Sequence, residues 1–334
     1  MKTKYKIVIV GAGAGGLGAG CWAKFFEQDF IIIDAAKELP LNLHNGVHYL
    51  HSIPYLPFGP DIKEITLTDG ILCRNGSIKH HPDLLDCLQY SEKVREEQHP
   101  SSIMEVGKRD RVFLPPTNSL NSLLKEMYDY IGKEKFEFDR AVIQIKSRSI
   151  VTAGKEGVKE YGFDFLLSTM PLDNLLDHLY KEEDIELKNK KIHITNIKIN
   201  RIVPNWLINL YIPDPSNSVY RVSILNNLAS VESETELSNE EVESLKKLLE
   251  MFYLDTKSIQ RYNWEKGKLI SISYDERKKL VNELYEKNIF SFGRFGLWNR
   301  KLLVHSTISQ AASIVNYIFS KEPKIEELIE KLSK

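Results

Sequence analysis

The chain has 334 residues, of which 42% are hydrophobic and 27% are charged, and its formal net charge is -1. A chain of this length can bury its own core without disulfides or metals. Its balanced charge disfavours nucleic acid or an acidic membrane surface as the main partner.

Cysteine usage and hydropathy predict the compartment. Cys21, Cys73 and Cys87 form no CxxC pair, which favours a reducing environment. The apolar run Ile7–Val10 is too short for the core of a signal peptide, and no stretch approaches the roughly 20 apolar residues that span a bilayer. We therefore expect a cytoplasmic protein with no membrane partner, and no histidine cluster with carboxylates at ligand spacing suggests a metal. The oligomeric state stays open, with a homo-oligomer among the alternatives.

The first forty residues predict a β-turn-α-β unit. Residues 6–10 form a short β-branched run typical of a buried parallel strand. A glycine-rich turn follows, and then a segment from Leu17 to about Glu27 that is compatible with a helix. Phe30–Ile33 predicts a second buried strand, which ends at Asp34. The crossover between two such strands is right-handed and parallel.

The turn reads Gly11-Ala12-Gly13-Ala14-Gly15-Gly16, which is GxGxxG in the context of a dinucleotide site. Gly11 permits the tight turn, Gly13 lets the backbone approach a pyrophosphate, and Gly16 lets helix and strand pack closely. Ala14 and Gly15 complete the cofactor-binding turn, and the N-terminus of the following helix offers N–H groups and a positive dipole end that favour phosphate. Asp34 is placed to accept hydrogen bonds from ribose hydroxyls and would repel a 2′-phosphate, which disfavours NADP. NAD and FAD both fit this unit.

Further elements follow in chain order. The stretch from Leu39 to about Arg111 is interrupted by prolines and predicts an irregular excursion. Ser119 is a candidate N-cap for a helix whose apolar residues recur from Leu120 to Ile131. Strands are predicted over Ala141–Ile145, Phe163–Leu167, Ile192–Val203, Trp206–Ile212, Tyr220–Leu225 and Ile289–Phe292, and helices over Pro171–Tyr180, from Ser238 onward, and after Gly293.

Five stretches together resemble the FAD-binding superfamily of amine oxidases, protoporphyrinogen oxidase and UDP-galactopyranose mutase. The first is the glycine turn with Asp34, and the second, residues 45–51, looks like the mutase segment Gly-Pro-His-Ile-Phe-His. The others are residues 163–171, then Tyr211-Ile212-Pro213-Asp214 with Tyr220-Arg221, and Gly293-Arg294-Phe295-Gly296-Leu297-Trp298 with His305-Ser306.

The resemblance implies roles for single residues. His48 would lie beside the flavin, and Val142 would contact adenine through its backbone. Gly293, Arg294 and Ser306 would reach the flavin pyrophosphate and ribityl chain. Arg221 would contact the substrate, with a surface salt bridge as its alternative. Tyr211 and Trp298 would stack on a substrate ring or pack.

The chain also departs from that pattern. Ala35–Pro40 lacks the superfamily's second Gly-Gly element and its arginine. Arg300 stands where the mutases have a tyrosine that holds the substrate diphosphate, and Val304 stands where they have an asparagine. Arg300 is a candidate replacement contact to phosphate or carboxylate. These departures leave FAD binding in place and put the mutase reaction in doubt.

The resemblance implies an α/β fold with a Rossmann-type FAD-binding domain and an inserted mixed α+β substrate domain. The FAD-binding domain would comprise residues 1–52, 107–180 and 285–334, and the substrate domain residues 53–106 and 190–284. We expect an FAD-dependent oxidoreductase that acts on a small-molecule or nucleotide-sugar substrate, with His48 and Arg221 in the reaction. The alternatives are a mutase-like isomerase of a nucleotide sugar and a flavin-binding protein without catalysis.

Overall fold

The computed structural model describes residues 2–41, 46–74, 76–96, 103–115, 117, 119–179, 185–251 and 256–334. Asn45 of the second stretch and residues 181–184 lie outside these ranges. Within them, every helix is too short or too polar to cross a lipid bilayer, and no three His, Cys, Asp or Glu side chains are grouped as metal ligands.

The described strands form two sheets. Their bounds are β1 (Lys2–Val10), β2 (Phe30–Ile33), β3 (Lys63–Leu72), β4 (Ile78–Lys79), β5 (Arg111–Leu114), β6 (Phe136–Glu137), β7 (Ala141–Lys146), β8 (Ser149–Gly154), β9 (Gly157–Ser168), β10 (Asn189–Tyr211), β11 (Val219–Ser233), β12 (Thr256–Leu269) and β13 (Ile289–Ser291). The helices are α1 (Ala14–Phe25), α2 (Leu84–Arg95), α3 (Leu120–Ile131), α4 (Leu172–Leu179), α5 (Asn239–Met251), α6 (Tyr274–Glu286), α7 (Gly293–Gly296), α8 (Val304–Ser320) and α9 (Ile325–Ser333).

The first sheet has the order β6-β2-β1-β9-β8-β7, and β13 pairs with the end of β9. β6, β2, β1, β9 and β13 run parallel, whereas β7, β8 and β9 form an antiparallel meander. Alternate residues of β1 face opposite sides. Ile7 and Ile9 pack in a core with α1, α3 and α8, and Val8 and Val10 pack with the meander, α4 and α6. This is the three-layer arrangement expected of a Rossmann-type unit.

The second sheet has the order β11-β10-β3-β4, with β12 on the first half of β10 and β5 on β3. β5 falls in the range 107–180 that the sequence assigns to the FAD-binding domain, but it pairs with β3 in this second sheet. Helix α2 packs on this sheet through Cys87, Tyr90 and Val94, and α5 packs on it through Val242 and Leu245.

The long antiparallel ribbon of β10 and β11 folds back on itself. Its register shifts between Lys198 and Leu207, and Asn226 of β11 has a positive φ of 52°. Arg221 and Glu232 of β11 are in direct contact, although 11 residues of straight strand would hold them ~36 Å apart. The bend therefore brings the two halves of one ribbon together.

Most predicted elements agree with the structure, and the fold class is confirmed. The helix over 120–131 has the predicted bounds, and the Ser119 side chain accepts a hydrogen bond from Asn121 N at 3.2 Å. The stretch 39–111 was wrongly predicted as irregular, because it contains β3, β4 and α2. The two predicted strands within 192–212 form one bent strand, and the single helix predicted after Gly293 is α7, α8 and α9.

Candidate functional site

The glycine turn between β1 and α1 has the geometry of a phosphate-binding turn. Gly11 has φ of +101°, and a Cβ on Gly16 would lie 1.7 Å from Gly11 O, so neither position accepts a side chain. A Cβ on Gly13 would meet no atom within 4 Å. The turn is therefore tightly packed on the protein side at Gly11 and Gly16, whereas Gly13 faces open space.

The start of α1 and the end of β2 complete this part of the site. No side chain caps the N-terminus of α1, which leaves N–H groups for an anion. The carboxylate of Asp34 accepts hydrogen bonds from Ala12 N at 2.6 Å and from Ala36 N at 2.7 Å. Each carboxylate oxygen keeps a lone pair for a ribose hydroxyl. The residues therefore fit the adenosine and pyrophosphate of a dinucleotide.

The chain just before Val142 is hydrogen-bonded to Asp34, the residue that follows β2. Arg140 N donates to Asp34 O at 2.9 Å, and Asp139 N donates to Ala36 O at 2.7 Å. Val142 follows in β7 and is half-buried in the core of the meander. Val142 therefore follows by two residues the backbone that is bonded to Asp34 O, and its adenine contact stays a prediction.

The C-terminal segment lies against the same turn. Gly293 has φ of +81°, and its N–H donates to Gln310 Oε1 at 3.0 Å. A Cβ on Gly15 would lie 2.8 Å from Thr307 Cγ2, and one on Gly293 would lie 2.9 Å from the same methyl group. The start of α8, which includes half-buried Ser306, therefore joins Gly293 and Arg294 to the glycine turn.

Arg294 connects the turn to a group of positive charges. Burial, together with the positive charges of Arg95, Arg221 and Arg300, lowers the pKa of Arg294 to about 10, and the negative charge of Glu232 opposes this shift. These cations come from α2, β11 and the loop after α7. Several cations gathered around one carboxylate form a group with excess positive charge, here called the cation group, and such a group favours an anionic ligand.

Arg221 lies inside this cation group and not on an exposed surface. It pairs with Glu232, whose other oxygen accepts from Lys268 Nζ at 2.6 Å. The side chains of Arg221, Glu232 and Lys268 are 21%, 12% and 13% exposed. Arg221 Nε has no hydrogen-bond partner among the described residues. A salt bridge thus exists, but it is buried and not on the surface, and Arg221 Nε is buried with it.

Polar aromatic side chains surround Arg221. Asn209 Nδ2 donates to Tyr49 Oη at 2.8 Å and to Tyr211 Oη at 3.2 Å. The rings of Tyr211 and Tyr90 meet edge to face at 5.6 Å. Burial raises the pKa of Tyr49 well above its usual value, so its hydroxyl stays protonated.

Trp298 and Arg300, two predicted substrate contacts, differ in burial. Trp298 is fully buried, and its Nε1 donates to Lys188 O at 3.0 Å, so the geometry supports the packing alternative. Arg300 is half-buried, and its N–H donates to Ser271 Oγ at 3.0 Å. His48 is half-buried on the stretch that leads to Tyr49.

Sequence reasoning missed several residues of this region. The sequence did not single out Glu232, Lys268 and Arg95, because the residues that they approach lie in other elements or far along the same strand. Tyr49 and His51 lie in the histidine stretch that the resemblance marks, but the resemblance gave a role in that stretch to His48 alone. His51 contacts Arg109 and lies beside His305.

Comparisons with known proteins identify the fold. No protein-family model matches the sequence, and no curated protein matches it. A crystal structure of reduced UDP-galactopyranose mutase superposes with a TM-score of 0.73 at 15% identity, over 99% of each chain. A protein from Exiguobacterium sp. 255-15 assigned as a protoporphyrinogen oxidase has a TM-score of 0.59 at 11% identity, over 96% of this chain and 99% of that one.

A third similar structure is a ternary complex of aklavinone-11 hydroxylase with FAD and aklavinone. Its TM-score is 0.53 at 9% identity, over 95% of this chain and 62% of that one. At such identities the similarity concerns the fold. The chain has the fold that the resemblance to the FAD-binding superfamily implied.

Proposed function

We propose that the chain is an FAD-dependent oxidoreductase whose substrate carries a phosphate or carboxylate group. One observation carries this proposal. Arg294 follows Gly293, which shares the contact with Thr307 that Gly15 of the dinucleotide turn makes, and the charges of Arg95, Arg221 and Arg300 act on its guanidinium. The cofactor site and an anion-attracting site are therefore neighbours.

The residues divide the work of holding FAD. The turn from Gly11 to Gly16 and the start of α1 would bind the pyrophosphate, and Asp34 would bind the adenosine ribose. Val142 would contact adenine. Gly293, Arg294, Ser306 and His48 would hold the flavin half. FAD, when bound, supplies a ring that accepts a hydride from a C–N, C–O or C–C bond of the substrate.

The cation group would orient the substrate through the negative charge that the substrate carries. Arg221 is fixed by Glu232, so it meets an anion without first losing conformational freedom. Tyr49 and Tyr211 carry hydroxyl groups beside it and can hydrogen-bond a polar substrate. Arg95 and Arg300 add positive charge nearby.

A second candidate function is the isomerisation of a nucleotide sugar without net redox. The similarity to UDP-galactopyranose mutase over the full length favours it, as does the neighbourhood of Tyr211 and Arg221. Arg300 and Val304, which replace a tyrosine and an asparagine of the mutases, speak against it.

The cofactor is tested first, by the visible absorption spectrum of the purified protein and chromatography of the released cofactor. We expect FAD. Gly13→Val should lose it through a clash with the pyrophosphate while the apoprotein keeps its stability, because the site of the added side chain is open. A colourless protein that takes up no added FAD would refute the proposal, and a fully loaded Gly13→Val variant would refute the placement.

The reaction class is tested with the loaded protein under anaerobic conditions. Alcohols and amines are compared in matched pairs, with and without a phosphate or carboxylate group. Only the anionic member of each pair should reduce the flavin and bleach its absorbance. Arg221→Met should weaken that preference. If neutral substrates bleach the flavin equally well, the cation group does not select the substrate and its proposed role is refuted. If the chemically reduced protein interconverts ring forms of UDP-galactose, the second candidate replaces the first.

A further inference from the structure

The second sheet places a buried asparagine behind two tyrosine hydroxyls and Arg221. Asn209 of β10 lies opposite Ser223 of β11. Tyr211 follows on the same face of β10 and lies opposite Arg221. Tyr49 joins them from the stretch before β3, where its ring packs against the core of the second sheet. Asn209 is fully buried, whereas both tyrosines and Arg221 are half-buried, so the asparagine supports the polar groups that line the proposed anion site.

The hydrogen bonds of Asn209 fix the direction of the tyrosine hydroxyls. Its Oδ1 accepts from Ser223 Oγ, and its Nδ2 donates to Tyr49 Oη at 2.8 Å and to Tyr211 Oη at 3.2 Å. An amide nitrogen has two hydrogens and no acceptor, so neither tyrosine can direct its O–H at Asn209. Both hydroxyl protons are therefore turned away from the asparagine.

One of these two protons is used between the tyrosines themselves. Burial raises the pKa of Tyr49, and its hydrogen bond with Tyr211 raises it further, as expected of a hydroxyl that donates. The Tyr211 oxygen then accepts from Asn209 and from Tyr49, which occupies both of its lone pairs. The group that remains on Tyr211 is its own proton, so Tyr211 meets a ligand as a donor.

The charged groups next to Tyr211 add further donors and engage their own acceptor. The guanidinium of Arg221 has donors only. Glu232 is the carboxylate beside it, and its two oxygens are paired with Arg221 and with Lys268. The space beside Tyr211 and Arg221, here called the donor site, therefore offers donors to a ligand, and the acceptors that the described residues supply there are already engaged.

We propose that Asn209 is a positioning residue that keeps the donor site free of acceptors, so that the site selects an anion whose oxygens carry no proton. This inference rests on the proposed function and specifies the anion that its substrate carries. A carboxylate, a sulfate ester and a fully ionised phosphate meet the condition. A phosphate ester that retains a proton does not, because its O–H would face another donor and stay unpaired, which costs free energy.

Methyl sulfate and methyl phosphate test this selection without any turnover. At about pH 5 each carries one negative charge, because the second pKa of a phosphate ester is about 6, and the two ions then differ by one proton. Isothermal titration calorimetry of the FAD-loaded protein measures both affinities. Methyl sulfate should bind about 10- to 100-fold more tightly, which is the factor that a hydrogen bond to a charged group contributes. At about pH 8, where methyl phosphate has lost its proton, this preference should disappear.

Asn209→Leu tests the positioning role, because it removes the amide and nearly keeps the size of the side chain. The tyrosine hydroxyls can then turn a lone pair toward the ligand, and the preference for methyl sulfate at low pH should be lost. The matched control is Asn196→Leu. Asn196 is also a buried asparagine of β10 that lies opposite a serine, Ser230, but it belongs to the other half of the bent strand, and its variant should keep the wild-type preference.

Tyr211→Phe removes the donor itself and keeps the ring. It should also lose the preference, and Asn209→Leu should add no further effect in its background, because both act through the same hydroxyl. An unchanged preference in Asn209→Leu would overturn the inference, as would equal binding of the two ions by the wild-type protein at low pH. If Asn209→Leu does not fold, an unchanged preference in Tyr211→Phe overturns it in the same way. If the wild-type protein binds neither ion, the anion site of the proposed function is refuted, and this inference with it.

Discussion

The contact between Arg221 and Glu232 gives the most quantitative prediction, because it closes the folded ribbon of β10 and β11. Glu232 also binds Lys268, with 2.6 Å between Nζ and Oε2. Glu232→Ala would leave two cations in a region where the three side chains are 12–21% exposed. Removing one member of a buried ionic group costs about 3–5 kcal/mol. We expect the free energy of unfolding to fall by this amount.

The assay is urea unfolding followed by tryptophan fluorescence at neutral pH, with Glu234→Ala as the control. Glu234 lies two residues further on, its side chain is 52% exposed, and it is 3.9 Å from Lys190. An exposed pair of this kind contributes less than about 1 kcal/mol. If Glu232→Ala is no less stable than Glu234→Ala, the ionic group does not hold the ribbon closed.

The pH dependence gives a second test of the same group. Burial opposes the charge of Glu232, but the positive charges of Arg221 and Lys268 prevail and hold its pKa well below the usual 4.5. The stabilisation is therefore fully present above pH 4.5 and is lost as the pH falls towards the depressed pKa. The difference between the wild-type protein and Glu232→Ala should be constant down to about pH 4.5 and should shrink below it.

Three further substitutions test other parts of the structure. Gly16→Ala should reduce FAD content and lower the melting temperature, because its Cβ would lie 1.7 Å from Gly11 O. The control is Gly18→Ala, whose Cβ meets its nearest atom at 3.3 Å and should change the melting temperature much less. Lys93→Met should lose about 2–3 kcal/mol in urea unfolding, since Lys93 Nζ donates to three backbone carbonyls at 2.7–2.9 Å; unchanged stability would refute this role. Ser273→Ala should cost about 1 kcal/mol through loss of the capping box of α6, and no change in the melting temperature would contradict it.

Local features were predictable from the sequence. The glycine turn, Asp34 and α3 depend on residues that are close together in the chain, and their spacing contains the information. The error over 39–111 has a local cause as well. Ile65 and Leu67 alternate with polar residues as in a half-buried strand, but the frequent prolines were given more weight than this alternation.

The ionic group around Arg221 was not predictable in the same way. Tyr220–Leu225 predicts a strand, and an isolated arginine on it allows either a salt bridge or a substrate contact. The partner, Glu232, lies 11 residues away on the same strand and becomes a neighbour only because the ribbon bends. No periodicity marks a bend that results from register shifts and one residue with positive φ.

The proposed cofactor site and the proposed substrate site differ in the same way, because one is local in the sequence and the other is not. The dinucleotide turn is built from one continuous segment, so its function follows from a local motif. The proposed anion site takes Arg95 from α2, Arg221 from β11 and Arg294 from α7, three elements that are far apart in the chain. A substitution in α2 should therefore change the proposed anion preference while the glycine turn stays intact. A substrate site of this kind depends on a combination of distant residues, and neither the fold nor a local motif defines it.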